Sequence, residues 1–227
     1  MLKANKIRNA ARKARYGVMS AIYGSDSDKA RPSKDSIQDY WRDPPGKNNQ
    51  PDAYVNYEAQ SAAVFGLVQE LGVARGPVLE IGPNVGRSLR TFFDNGWTDL
   101  SGIEINPTAV AKMRSLFPEM ASQANILNMP VEEAIVTLPE RHFELVFSKA
   151  VLLHVHPDSD WVFERMARVT KGTLLVIENE DQQSYKLFPR QYRPIFEGHG
   201  MVQIDERRLP DIPDSYIARS FRHPDAL

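Results

Sequence analysis

From Pro77 to Glu178 the chain alternates short apolar runs with stretches of helical spacing. The apolar runs are Pro77–Ile81, Leu100–Glu104, Phe143–Ser148 and Thr173–Glu178, with a weaker one over Ala121–Ile126. They are strand-length and nearly continuous, as strands buried on both faces are. Helical segments follow most of them: Gly86–Asp94, Pro107–Phe117, Val131–Leu138 and Asp158–Val169. Such alternation builds right-handed strand–helix–strand units and a parallel sheet covered by helices. After Glu178 the pattern changes. Gln182–Glu197 reads as a helix and Gly198-His199-Gly200 as a turn. "MVQIDERRL" and "SYIARSFR" then read as two strands with a short connection, which makes them an antiparallel pair. The expectation is an α/β, doubly wound, mostly parallel sheet finished by an antiparallel C-terminal hairpin.

Upstream, Ala53–Leu71 has helical spacing and stops at Gly72, while residues 24–52 are polar, Pro- and Gly-rich, and read as a loop carrying Tyr40 and Trp41. This divides the chain into a helical N-terminal extension or cap over 1–72 and a core over 73–227, together one compact domain. The 227 residues suit that size. Residues 1–15 hold six basic side chains and no acid, which leaves −7 for the rest of a chain of net charge −1. Such an arm is either a docking element for an anionic partner or a solvated helix or tail. It lacks the apolar centre of a secretory signal, and no apolar run reaches the length of a membrane helix. The chain has no cysteine, which excludes disulfides, thiolate metal sites and a cysteine nucleophile. A cytoplasmic protein is expected.

The first strand leads into "LEIGPNVG", where an acid, Glu80, precedes Gly82 and Gly86. Glycines at such a turn let a ligand approach the backbone, and the N–H groups opening the next helix attract electron-rich groups. Ligands of open α/β sheets lie at these strand ends. Two ligand classes use this layout: dinucleotides and S-adenosylmethionine. The dinucleotide fingerprint is G-x-G-x-x-G, whereas this run is E-x-G-x-N-x-G with Asn84 inside it. An acid at the first position suits a cationic ligand and repels a pyrophosphate.

With these motifs the chain resembles a class I S-adenosylmethionine-dependent methyltransferase, from about Gly76 to the C-terminus. The resemblance implies a Rossmann-like, seven-stranded sheet with an antiparallel last strand, and an enzyme that uses S-adenosylmethionine and releases S-adenosylhomocysteine. It places Glu80, Gly82, Pro83, Asn84 and Gly86 in the first cofactor motif, with Asn84 standing where the family usually has a third glycine. "LSGIEINPTAV" matches the second motif, so Glu104, with Ile105 beside it, is expected to take both ribose hydroxyls. "QANILNMPVEEA" puts Asn125 at the adenine edge, where the family usually has Asp, with Ile126 and Leu127 beside the ring. "FELVFSKAVLLHVHPD" matches the fourth strand and its turn and brings Ser148 to the cofactor. That stretch is also similar to a bacterial methylase group associated with surface-sugar biosynthesis.

Several residues are candidates for the acceptor side. His154 and His156 follow the fourth strand, and a neutral imidazole is a natural base for a hydroxyl acceptor. The alternative for His154 is a purely structural place in the turn. Lys149, Glu178, Asn179 and Glu180 stand near the ends of strands four and five as candidate acceptor-wall residues. Tyr40, Trp41 and Tyr54 are candidate lid residues, or else they pack the N-terminal helix.

The run His154, His156, Asp158 is an H-x-H-x-D pattern like that of metallo-β-lactamase-type hydrolases, which keeps a metal-dependent hydrolase open as a different class. Its next histidine is missing, since position 160 is Asp. "DPPG" at Asp43–Gly46 lacks the aromatic of the D-P-P-Y motif of amino-methylating nucleic-acid enzymes, so base methylation is not expected. "SKAV" lacks the Asp of the magnesium-dependent catechol type, so no metal is expected. The leading expectation is methyl transfer to a hydroxyl or amine of a small molecule, with a sugar or secondary metabolite favoured. An RNA or protein methyltransferase anchored by the basic arm, and a non-catalytic cofactor-binding subunit, are the alternatives. Nucleic acid is not the favoured partner, and the sequence does not specify an oligomeric state.

Overall fold

The computed structural model describes residues 32–182 and 184–227. The basic arm of residues 1–15 lies outside the described residues. Seven strands form one sheet: β1 (Val78–Ile81), β2 (Leu100–Ile103), β3 (Asn125–Leu127), β4 (Phe143–Lys149), β5 (Thr170–Glu178), β6 (Val202–Arg207) and β7 (Ile217–Arg222). Their order is β3-β2-β1-β4-β5-β7-β6. β1 to β5 pair in parallel, and β7 enters antiparallel between β5 and β6. Strand order reverses between β1 and β4, where Ile81 stands opposite Ser148. The loops after β1 and β4 diverge there to opposite faces and leave a crevice.

The period-two alternation of strands feeds two cores. Leu79, Ile81, Val146, Leu174 and Val176 face one cluster with Phe163, Met166 and Tyr192. Val78, Leu145, Phe147, Leu175 and Ile177 face the other with Leu89, Phe92 and Trp97. Because both faces are covered, the strands carry apolar residues at consecutive positions. The helices that cover them include α2 (Glu58–Glu70), α3 (Arg87–Asp94), α4 (Pro107–Leu116) and α7 (Trp161–Val169); α1 (Lys34–Arg42) precedes them, and α5 (Pro118–Gln123), α6 (Val131–Ala134) and α8 (Tyr192–Gly198) are short.

The structure departs from the sequence expectations in four places. Residues 24–52 are not all loop, because α1 occupies Lys34–Arg42. Ser33 caps it by accepting from the Ser36 N–H, and Ile37 and Tyr40, three residues apart, are buried. Ala53–Leu71 divides into a 3₁₀ turn over Pro51–Tyr54 and α2. Ala121–Ile126 is not a strand. Pro118 opens α5, whose last residue is Gln123, and β3 begins only at Asn125. Gln182–Glu197 is not one helix. The backbone N–H of Phe188 bonds the Leu153 carbonyl, and the Arg190 guanidinium donates to the carbonyls of Leu152, Phe188 and Val155 and to Asp160. These bonds tie the segment before α8 to the turn after β4 as a strap.

Candidate functional site

Beyond the carboxyl ends of β1, β2 and β4 lies a cavity of about 570 Å³. Its floor is the turn from β1 into α3. Gly82 and Gly86 hold φ of +71° and +79°, and a Cβ on Gly82 would stand 2.4 Å from Val151 Cγ2. Asn84 also takes a left-handed conformation, with φ of 50°, which asparagine tolerates better than most residues. The missing third glycine therefore leaves the tight turn intact. The Asn84 side-chain oxygen is buried without a hydrogen-bond partner.

Glu104 directly follows β2 and joins the two strand tips. Its Oε2 accepts from the Asn84 N–H and its Oε1 from the Asn106 N–H, each at 2.8 Å. A carboxylate offers about four lone-pair directions, so each oxygen keeps one free for a further donor. Burial raises the Glu104 pKa, and the backbone N–H groups of Asn106, Asn84 and Ile105 oppose that rise. Glu80, on β1, is 4% exposed, and its Oε2 has no partner. Burial pushes its pKa up to about 8, against the opposing effects of Lys149 and Ser88. An unpaired buried carboxylate oxygen in a cavity wall is costly unless a ligand donor completes it.

At the end of β4, Lys149 extends into the cavity. Its Nζ donates to Gln60 Oε1 at 2.7 Å and lies 5.6 Å from the centre of the Tyr57 ring. Burial lowers its pKa, and Glu80 opposes that shift. The chain then turns at Ala150, with φ of 58°, into a 3₁₀ turn over Leu152–His154. Glu178 holds this turn from β5: its carboxylate accepts from the N–H groups of Val151 and Leu152, each at 3.0 Å, and from the Ser148 hydroxyl at 3.1 Å. Burial raises the Glu178 pKa to about 7.

The His154 ring packs on Trp41 with centroids 4.2 Å apart, and its Nδ1 faces the Lys186 carbonyl oxygen at 3.5 Å. Burial lowers its pKa to about 3, so the imidazole is neutral at ordinary pH. His156 Nδ1 accepts from the Asp158 N–H at 3.2 Å, and its ring packs edge-on against Phe188. Among the described residues no three His, Asp or Glu side chains form a group able to hold a metal ion. His156 Nδ1 and Asp158 Oδ2 face each other at 3.4 Å, whereas the His154 ring is taken up by Trp41.

The roof comes from the N-terminal segment and the strap. Ile37 and Trp41 of α1 line the cavity, with Tyr54 and Tyr57 from the segment ahead of α2 and Tyr216 from the start of β7's approach. Burial raises the Tyr54 pKa to about 12, which keeps its phenol protonated. The Lys186 ammonium of the strap lies 3.5 Å from the centre of the Tyr40 ring, and Asn49 donates to the Tyr40 hydroxyl at 2.7 Å. Tyr40 thus supports the roof from behind, whereas Trp41 faces the cavity.

Of the residues expected from sequence, Glu80, Gly82, Pro83, Asn84, Glu104, Ile105, Lys149, His154, His156, Trp41 and Tyr54 line this one cavity. Gly86 lies just behind it as the N-cap of α3. Others fall outside its lining. Asn125 pairs with Ser101 near the start of β2 and is exposed, and Ile126 and Leu127 continue along the strand. The chain reaches the cavity only after β3 ends, at Met129 and Pro130. The clue was positional: Leu127 is the register partner of Ile103, so the level of Glu104 falls at Asn128, whose side chain bonds the Glu104 carbonyl. Ser148 is fully buried on Glu178. Glu178 itself is sealed beneath the turn. Asn179 accepts from the N–H groups of Asp181 and Gln182, and Glu180 is bidentate with Arg219. Gln60 and Tyr57 were not anticipated; their helix carried no signal beyond its periodicity.

Residues 79–176 match the family model described as a methyltransferase domain. No curated protein matches the sequence. Solved structures share the fold. A 1,6-didemethyltoxoflavin-N1-methyltransferase from Burkholderia thailandensis, solved with bound 1,6-didemethyltoxoflavin and S-adenosylhomocysteine, is similar at TM-score 0.62 and 17% identity, over 84% of this chain and 86% of its own. An S-adenosylmethionine-dependent methyltransferase from Leishmania major is similar at TM-score 0.62 and 16% identity, over 83% of this chain and 81% of its own. The [4+2]-cyclase SpnF is similar at TM-score 0.57 and 17% identity, over 73% of this chain and 82% of its own. Residues 79–176 are therefore similar to a methyltransferase domain, and these solved structures share the chain's Rossmann-like fold. No helix among the described residues is long and apolar enough to cross a membrane.

Proposed function

We propose that the chain transfers a methyl group from S-adenosylmethionine to a hydroxyl or amine of a small-molecule acceptor, beneath a cap formed by its N-terminal segment. The observation that carries this reading is the shape of the cavity. One end is the Glu80–Glu104 cradle, and the other is lined by Trp41, Tyr54, Tyr57 and Tyr216. A cavity of this order suits a small molecule.

The cradle fits the cofactor. Glu80 Oε2, buried and unpaired, is placed for the ammonium of the amino-acid end. The two remaining lone pairs of Glu104 suit a ribose diol. Ile105, Met129 and Pro130 supply the flanks for an adenine ring in place of Asn125, Ile126 and Leu127. The cofactor, when bound, supplies a methyl on a sulfonium leaving group. The protein's part is to hold an acceptor in line and exclude water. Trp41 and the tyrosines give an acceptor apolar faces, and the strap keeps His154 against Trp41.

The fold by itself does not dictate the reaction, since a cyclase shares it. The test is calorimetric titration with S-adenosylhomocysteine, followed by transfer of labelled methyl to sugars, phenols and amines. Uptake with transfer supports the reading; uptake with transfer only to RNA or protein refutes the small-molecule acceptor.

A further inference from the structure

We propose that Lys149 is the catalytic base of the transfer: its ε-amine takes the proton of a hydroxyl acceptor, and cofactor binding at Glu80 primes it to do so. The inference rests on the methyl-transfer reading above and narrows the acceptor to a hydroxyl.

The geometry points to Lys149 first by position. It is the last residue of β4, beside the point where strand order reverses, and its side chain lines the cavity between cradle and roof. Gln60 Oε1 accepts one of its N–H bonds at 2.7 Å, which fixes the nitrogen. A neutral amine held this way keeps a second N–H and a lone pair. No carboxylate among the described residues forms a salt bridge with Lys149. Glu80 from β1 is the charged group that acts on it, and the Tyr57 ring from the start of α2 lies beside it. Across the cavity stand Tyr54, Tyr216 and His154, with Lys34 and Lys186 from α1 and the strap.

The alternative base is less suited. His154 lies against Trp41, with its Nδ1 facing the Lys186 carbonyl, and burial opposes its protonation down to about pH 3. A base so weak is poorly matched to a hydroxyl proton. Lys149 is matched from the other side. Burial already disfavours its ammonium, and the Glu80 carboxylate counters this once it ionises, above about pH 8. A cofactor ammonium paired with that carboxylate cancels the support, so the Lys149 midpoint falls when the donor is loaded.

The step balances. The acceptor O–H breaks, and its proton passes to the Lys149 lone pair. The oxygen forms a bond to the methyl carbon while the carbon–sulfur bond breaks, its electron pair remaining on sulfur. One positive charge moves from sulfonium to ammonium.

The test does not need the natural acceptor. In the full-length chain labelled with 13C,15N-lysine, the Lys149 Cε and Nζ resonances are followed against pH, with and without S-adenosylmethionine. Their assignment is by loss in Lys149→Arg, or in Lys149→Gln where arginine does not fit. The expected result is a midpoint below the ordinary lysine value of about 10.4, falling by about one pH unit or more with the cofactor. A midpoint at the ordinary value, or unmoved by cofactor that calorimetry shows to be bound, overturns the base role alone. Absence of cofactor uptake in the same calorimetry sinks the cofactor cradle instead. Lys149→Arg, which stays charged, should abolish transfer to hydroxyl acceptors while leaving cofactor affinity within about threefold. Retained transfer in that variant also overturns the proposal.

Discussion

Replacing Glu80 by glutamine should stabilise the cofactor-free protein at alkaline pH while weakening its hold on S-adenosylmethionine. The Glu80 carboxyl titrates near 8 in the folded chain instead of 4.5, mainly through burial. A difference of that size corresponds to about 5 kcal/mol favouring the protonated form. Because the folded value lies above the unfolded one, this stability is fully present below about pH 4.5 and lost as pH rises through 8. Glutamine has the shape of the protonated acid and does not titrate. Urea unfolding at several pH values should therefore show wild type losing several kcal/mol relative to Glu80→Gln between pH 5 and 8, then running parallel. Cofactor binding reverses the preference, because an ammonium favours the carboxylate. Wild-type affinity should rise about tenfold per pH unit up to about pH 7.5, until the ligand's own α-amino group begins to titrate near 8. Because the Glu80 carboxyl titrates near 8, calorimetry at pH 7 in buffers of different ionisation enthalpy should detect proton release on ligand binding. In Glu80→Gln both the pH dependence and the proton release should vanish. A wild type whose affinity is flat with pH and whose binding releases no proton refutes the reasoning.

Glu104→Ala should weaken S-adenosylhomocysteine binding by about 2–4 kcal/mol by calorimetry, since it removes two charged acceptors and frees the Asn84 and Asn106 N–H groups. Glu178→Ala should lower stability in urea by about 3 kcal/mol, because the N–H groups of Val151 and Leu152 and the Ser148 hydroxyl lose a shared buried acceptor. Trp41→Ala should raise the KM for the acceptor about tenfold, with S-adenosylhomocysteine affinity changed less than about twofold, because Trp41 belongs to the roof and packs on His154.

What could be read in the sequence followed from how locally each feature is encoded. The parallel strands are continuous apolar runs, so their order along the chain and the terminal hairpin are legible from residue pattern alone. The helix over Lys34–Arg42 was not, because its composition is polar; yet Ser33 with Ser36, and Ile37 with Tyr40 and Trp41, held its cap and its buried face in plain view. The strap before α8 contains Pro189, which breaks a helix there, and the Arg190 fan of carbonyl bonds and the Phe188–Leu153 bond hold the segment instead. Cavity-facing residues after β3 were missed by a shift of a few positions, since strand register depends on pairing with β2, which no short segment contains.

Three carboxylates show why residue type alone misplaced part of the site. Glu80, Glu104 and Glu178 all end or approach the end of a strand, and burial raises the pKa of each. In sequence Glu80 and Glu104 fall in the cofactor motifs and Glu178 among the candidate acceptor-wall residues. Their satisfaction separates them. Glu178 spends its lone pairs on a hydroxyl and the N–H groups of one turn, so its charge serves the loop that carries His154. Glu104 spends half of its capacity on the backbone and keeps the other half for a ligand. Glu80 leaves an oxygen unpaired in the cavity wall among the described residues, where a ligand donor can complete it. The cost of that unpaired oxygen in the free protein is the same quantity that a cationic ligand recovers on binding. The most destabilised carboxylate of the three is for that reason the one that should respond most to the cofactor, and Lys149 beside it is the group through which that response can reach the acceptor.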